Sequence, residues 1–266
     1  MLHRNYFLNR TLIVLWLMSL VATSLFPDEK GDSIMNKCHA AGKAKDMQGM
    51  AIMVIIDEAG KKNTRKINMY TQNNEKGTYN LFEFVYPADV KGTKFLTIGN
   101  KNGLDDQRLW LPELGKVRKI ASTAKDGKFM GSDLTYYDME DHDMDEYKYN
   151  YIKDEVLTIK KDKIKKKQDC WVVESIPASK NAPYSRTEVW ISKEDYSVCR
   201  TDFWNKKKNK EKSIFILEME TIGDIVVPVK TYVESVSGHK TLLQIKDIKI
   251  NNGIDQALFT INYLKK

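Results

Sequence analysis

A chain of 266 residues with 42% apolar, 10% aromatic and 30% charged side chains can bury a sizeable core, as one large domain or two small ones. That balance excludes both a disordered chain and an integral membrane bundle. Forty-three basic against thirty-six acidic residues leave a formal charge of +7, much of it in two lysine runs, which permits weak attraction to anionic surfaces without requiring it. Three cysteines are too few and too widely spaced for a disulfide scaffold, a zinc ribbon or a CxxC redox site.

The first segment reads as an export signal. His3, Arg4 and Arg10 form a basic start, 11–26 is uncharged and mostly apolar, and Ala22-Thr23-Ser24 supplies small residues for cleavage after Ser24. The apolar run is shorter than the roughly twenty residues of a spanning helix. The expected organisation is a signal peptide over 1–24 and a single exported domain over 25–266, with an uncleaved anchor as the alternative. No small residue precedes Cys38, which argues against lipid attachment there. Export into an oxidising compartment directs attention to Cys170 and Cys199. Each opens an expected strand with another strand between them, and two strand spacings of roughly 9–10 Å exceed the ~7 Å that a disulfide tolerates. A bridge needs strong coiling or an altered strand order; two buried thiols are the alternative.

After the signal, 32–47 has helical spacing of Ile34, Cys38, Ala41 and Lys45, with Asp32 or Ser33 as cap. Strands dominate from there. They are expected over 50–56, 64–71, 78–86, 94–99, 107–111 and 116–121, then 155–161, 170–176, 187–191 and 198–204, and finally 213–221, 225–235 and 240–250. Turn signals about every ten residues make this a mainly β chain with an antiparallel, meandering sheet, and the strand–helix rhythm of a doubly wound fold is missing. In 78–86, Phe82, Phe84 and Tyr86 point one way, while Leu81, Glu83 and Val85 point the other. The strands 50–56 and 214–217 are apolar on both faces, so both faces need cover. Two solutions fit: a curved sheet holding a helix and a removable apolar guest, or the central strands of a closed barrel or sandwich.

Few residues suggest chemistry. Asp138, Glu140, Asp141, Asp143, Asp145 and Glu146 surround His142, but without the glycine turn and terminal glutamate of a calcium loop they read as a solvated acidic loop. The runs Lys160, Lys161, Lys163, Lys165–Lys167 and Lys206–Lys208, Lys210, Lys212 read as exposed hairpin ends that protect sheet edges or face a membrane or partner. Glu234-Ser235-Val236-Ser237-Gly238 lacks the first glycine of a nucleophile elbow, and the four histidines have no metal-ligand spacing. No dinucleotide or Walker glycine motif occurs. The expectation is therefore no enzyme, no metal and no cofactor.

Three ordered segments are distinctive: Pro87-Ala88-Asp89-Val90-Lys91-Gly92-Thr93-Lys94-Phe95-Leu96, then Leu109-Trp110-Leu111-Pro112-Glu113-Leu114-Gly115-Lys116-Val117-Arg118-Lys119-Ile120, then Phe129-Met130-Gly131-Ser132-Asp133-Leu134-Thr135-Tyr136-Tyr137-Asp138. They resemble the LolA-like outer membrane lipoprotein-sorting family, which carries P-x-D-V-K-G-T-x-F-L, W-L-Y-L-P-x-L-x-x-V-R-R-I and F-M-G-S-D-F-x-Y-x-D in that order. Departures are the missing tyrosine before Pro112 and Leu134 in place of phenylalanine. Looser agreement at Pro183-Tyr184-Ser185-Arg186, 189–194 and Leu258-Phe259-Thr260 extends the likeness over nearly the whole exported chain.

The resemblance implies an incomplete antiparallel β-barrel wrapped around a few helices, with an apolar cavity for acyl chains. It implies a periplasmic carrier or receptor in outer-membrane lipoprotein sorting or lipid transport, with an inner-membrane transporter as a partner and no nucleic acid. The alternative is an envelope sensor or adaptor that binds a partner protein, such as a lipid exporter, through the same fold. On this reading the expected cavity lining is Met53, Phe82, Phe84, Leu96, Trp110, Phe215 and Leu217, all equally suited to an ordinary core. Phe129 and Met130 would form either a mobile flap or a fixed plug. Asp89, Lys91, Arg118 and Asp133 are the polar motif residues, expected to tie loops together or to touch a headgroup.

Overall fold

The computed structural model describes residues 28–40, 43–101, 103 and 105–266; the expected signal peptide lies outside them. All thirteen expected strands are present: β1 (Asp46–Ile56), β2 (Lys62–Asn74), β3 (Gly77–Tyr86), β4 (Lys94–Ile98), β5 (Asp106–Leu111), β6 (Lys116–Lys119), β7 (Tyr147–Lys161), β8 (Ile164–Pro177), β9 (Tyr184–Ser192), β10 (Val198–Asn205), β11 (Lys210–Ile222), β12 (Ile225–Ser235) and β13 (Lys240–Ile250). They form one antiparallel sheet in the order β6-β5-β4-β3-β2-β1-β13-β12-β11-β10-β9-β8-β7. Two meanders are thus joined by β1 against β13, with Met53 opposite Leu243. No ladder joins the outer strands β6 and β7, so the sheet is not closed.

This topology forces a long crossing. The chain leaves the sheet at one edge after β6 and re-enters at the opposite edge with β7. The intervening segment 120–146 runs across the inner face, where Phe129 packs among Ala51, Met53, Ile67, Phe82, Phe84 and Phe95. Helix α1 (Glu29–Ala40) covers the other part of that face, with Ile34 against Tyr149, Val173 and Val189. It begins earlier than the spacing suggests and replaces the expected 32–47. Asp28, rather than Asp32 or Ser33, holds its start, accepting from the N–H of Lys30 at 3.1 Å and from the N–H of Tyr151 in β7. Lys45 leaves the helical pattern because β1 already pairs with β2 from Asp46.

The helix lies close on β7 because Gly31 has no side chain. A Cβ there would stand 2.9 Å from the Tyr151 nitrogen and 3.0 Å from the Tyr149 oxygen, both backbone atoms that cannot swing aside. Gly31→Ala is expected to cost about 1–3 kcal/mol by pushing α1 off the sheet, measurable as a lower urea midpoint with an unchanged slope.

The chain itself covers the outer face in two places. The β7–β8 hairpin folds back onto β11 and β12: Lys161 pairs with Glu234, Lys230 lies 3.0 Å from Asp162, and Leu157 and Ile159 pack with Phe215, Leu217 and Tyr232. The C-terminal stretch, ending in the short helix α2 (Ile261–Leu264), lays Phe259 and Leu264 on Tyr79, Leu81 and Leu96. The outer apolar residues of β11 thus find protein cover, whereas Met50, Ile52, Val54 and Ile56 on the outer side of β1 stay half-buried.

Candidate functional site

The segment 120–146 defines the inner side of the molecule. Its tip is a tight turn: the Phe129 N–H donates to the Leu134 carbonyl at 2.7 Å, and the Ser132 hydroxyl donates back to the Phe129 carbonyl at 2.7 Å. The turn drives Met130 into the left-handed region at φ 48°, a conformation disfavoured for a residue with a Cβ, and Gly131 follows at 79°. Phe129 is 1% exposed and meets Phe95, Tyr136, Phe84 and Phe82 with ring centroids 5.0–6.2 Å apart. It acts as a plug on the apolar inner face of β1–β5.

Buried polar bonds fasten the plug to the second meander. Asp133 accepts from the Thr241 hydroxyl at 2.8 Å, while its own N–H donates to the Thr241 oxygen at 3.0 Å. Lys212 donates to the Asp133 carbonyl at 3.2 Å and pairs with Asp138, the two side chains being only 2% and 5% exposed. Tyr184 donates to Asp138 at 2.9 Å, and burial followed by that carboxylate pushes its phenol well above the usual range. Lys212 thus departs from the expected solvated hairpin end. On β11 its side chain faces inward opposite Phe203, and the Asp138 carboxylate and Asp133 carbonyl of the crossing segment make that burial tolerable. The acidic loop departs similarly: Asp138 and Glu140 are buried partners of Lys212 and Lys125.

The expected lining residues fall in three places. Met53, Phe82 and Phe84 share the inner face with Phe129 and Met130. Leu96 and Trp110 lie on the outer face under the C-terminal stretch, and Phe215 and Leu217 lie under the β7–β8 hairpin. Alternation along β3 and β4 explains the split, since Phe82 pairs with Phe95 while Leu81 pairs with Leu96 on the opposite face. Of the polar motif residues, Asp133 is buried in the fastening network, whereas Asp89, Lys91 and Arg118 are exposed. Sequence reasoning missed Arg65. Its guanidinium lies near Gly131 and over Phe84, with one nitrogen buried and unpartnered, and no periodicity or motif marks it.

A cleft of about 1240 Å³ opens at the end of the molecule where α1, the β2–β3 and β10–β11 hairpins and the crossing segment converge. It contains none of the expected lining residues; His39, Lys43, Thr78, Lys125, Tyr137, His142 and Lys206 are among those that border it. Charged side chains stand in a wall of mixed polar and apolar surface, with Lys43 paired to Asp141 at 3.1 Å and the ring of His142 4.3 Å from that of Tyr137. Asp105 sits in this wall, its carboxyl raised to about 6, chiefly by burial. A folded-state value above the ordinary aspartate value of 3.8 means that the folded protein holds the proton more tightly than the unfolded chain. Stability therefore falls as pH rises from about 4 through 6. Asp105→Asn keeps the oxygen that accepts from the Asn100 N–H. It is expected to melt higher than the parent at pH 7.5 and at the same temperature at pH 4.

Among the described residues, no group of three or more histidine, cysteine, aspartate or glutamate side chains is placed to hold a metal ion. No described helix is long and apolar enough to cross a membrane.

An open antiparallel sheet with a helix and a crossing segment on its inner face is a LolA-like fold, and solved structures share it. A Vibrio parahaemolyticus domain named as an outer membrane lipoprotein-sorting protein has a TM-score of 0.82 and 29% identity, over 90% of this chain and 99% of that one. A DUF1329 family protein from Desulfovibrio piger has a TM-score of 0.81 and 29% identity with the same coverage. A LolA superfamily protein from Nitrosomonas europaea shares the fold at a TM-score of 0.68 and 15% identity, over 88% of this chain and 98% of that one. No curated protein matches the chain. The likeness to the lipoprotein-sorting proteins drawn from the three motifs holds. A family model described as "uncharacterized protein" matches residues 76–266, and the chain belongs to that family.

Proposed function

We propose that the protein is a periplasmic carrier or receptor that shelters acyl chains of a lipid or lipoprotein, without catalysis, and that the chains occupy the inner apolar face now covered by the plug. The observation that carries this reading is Phe129, an apolar side chain on a tight turn with left-handed Met130 and Gly131, seated on an apolar floor of Met53, Phe82 and Phe84. An acyl chain can replace such a cover at roughly 0.8 kcal/mol per methylene removed from water, and methionine adapts to a flexible guest. Arg65, beside Gly131, is placed to meet an anionic headgroup. The lysines at the hairpin tips, Lys163 and Lys206–Lys208, would meet an anionic membrane or an inner-membrane transporter during transfer. The name of the Vibrio parahaemolyticus neighbour as a lipoprotein-sorting protein agrees with this role.

Fluorescent fatty acid titrated into the detergent-free protein tests the reading. Saturable binding that competes with unlabelled fatty acid is expected, and its absence in protein freed of bound lipid overturns it. The charged side chains bordering the cleft favour a second reading, an envelope sensor or adaptor whose partner protein inserts a charged segment there. Co-purification of a stoichiometric protein partner with no lipid would favour that one.

A further inference from the structure

Cys170 in β8 and Cys199 in β10 are 0% and 4% exposed, inside the outer-face core that the β7–β8 hairpin closes. β9 lies between their strands, and in a flat sheet their α-carbons would stand roughly 9–10 Å apart. Two local features shorten that gap. The register of β10 on β9 slips between Val198 and Arg200, which places Cys199 in a bulge, where the strand bends and twists more strongly. β9 also ends at Ser192, directly opposite Cys170, so the two cysteines flank the end of the β9–β10 hairpin rather than its middle. The result is that both thiols sit in one buried cluster, Cys170 donating to the Gln168 carbonyl at 3.5 Å and Cys199 to the Ser197 carbonyl at 3.9 Å, close enough for each to shift the other's titration.

The environment divides their reactivity. Cys170 holds its proton well above the usual thiol range, first because of the neighbouring Cys199 and then because of burial. Cys199 is shifted down, first by Cys170, with the Lys166 ammonium also favouring the thiolate. The third cysteine, Cys38 on α1, lies near enough to Cys199 to interact with it. Burial first, then Cys199 and Asp195, raise it to about 11 and leave it a poor nucleophile.

We propose that Cys170 and Cys199 close an intramolecular disulfide when the folding chain meets a disulfide-bearing oxidant, leaving Cys38 as the free thiol. The Cys199 thiolate attacks one sulfur of the oxidant, forming a mixed disulfide and releasing one thiolate. Cys170 then gives up its proton and attacks the Cys199 sulfur, releasing the second thiolate. The protein loses two electrons and two protons, and the oxidant ends as two thiols. The inference rests on the proposed periplasmic location only for where such an oxidant is met, so its chemistry is tested apart from lipid content.

The test is to unfold the reduced full chain, refold it with oxidised glutathione, verify the native circular dichroism spectrum, alkylate and digest. Before alkylation the expected product is about 2 Da lighter than the reduced protein; after it, the product carries one alkylated cysteine of the three and yields a Cys170–Cys199 linked peptide. Its melting temperature should exceed that of the reduced form by about 5–10 °C. Cys38→Ser should retain the link, and Cys170→Ser and Cys199→Ser should each lose it. Three alkylated thiols in natively folded protein, or a link that includes Cys38, would overturn the proposal.

Discussion

Lys212→Met is expected to lower stability by about 3–5 kcal/mol, because it leaves the buried Asp138 carboxylate without its counter-charge. The Lys212 and Asp138 side chains are 2% and 5% exposed, and the ammonium also holds the Asp133 carbonyl at 3.2 Å. Methionine fills similar space but meets none of these acceptors. A loss of this size corresponds to a fall in melting temperature on the order of 10 °C for a domain of this length. Lys206→Met, at the rim of the cleft, serves as the control and should stay within about 0.5 kcal/mol of the parent. Adding Asp138→Asn to Lys212→Met should cost less than the sum of the two single changes, since the second change removes the stranded charge. Urea unfolding of the parent and these four variants, Asp138→Asn alone included, decides this. If Lys212→Met behaves like Lys206→Met, the crossing segment is not fastened through this pair.

Phe129→Ala is expected to have two effects that separate a cover from a mere core residue. Stability should fall by about 3–5 kcal/mol, the usual loss for a fully buried aromatic truncated to alanine. Fatty-acid affinity should rise at the same time. In the parent protein the ligand competes with Phe129 for the face formed by Met53, Phe82 and Phe84, so its affinity is reduced by the fraction of molecules with the plug displaced. Removing the ring raises that fraction, and each 1.4 kcal/mol of released competition tightens binding about tenfold. At least a tenfold gain is expected in a fluorescent fatty-acid titration. A loss of stability with unchanged or weaker binding would mean that the plug only completes the core.

The strands were legible because half-buried antiparallel strands alternate, and β12 and β13 match their expected bounds to the residue. The turns around Gly223 and Gly238 mark those bounds directly. Sheet order was not legible. The junction of β1 with β13 depends on contacts nearly two hundred residues apart, such as Met53 with Leu243. The covers on the outer face were hidden for the same reason. Phe215 and Leu217 read equally well as lining for a guest or as core, and only the fold-back of the β7–β8 hairpin decides that they are core. Lys212 shows a further limit. A lysine among lysines reads as solvated, and nothing local announces that Asp138, 74 residues earlier, is brought beside it. The motif around Phe129, readable as flap or plug, falls in the crossing segment, while Arg65 lies in an ordinary strand and carries no sequence mark.

The central claim is that the inner face takes an acyl chain, and native mass spectrometry of the exported protein, purified without detergent, tests it most directly. The account predicts a heterogeneous set of added masses that denaturation releases as phospholipid or acylated peptide, and that diminishes when fatty acid competes. A single ligand-free mass, with no fatty acid taken up afterwards by either the parent or Phe129→Ala, would contradict it.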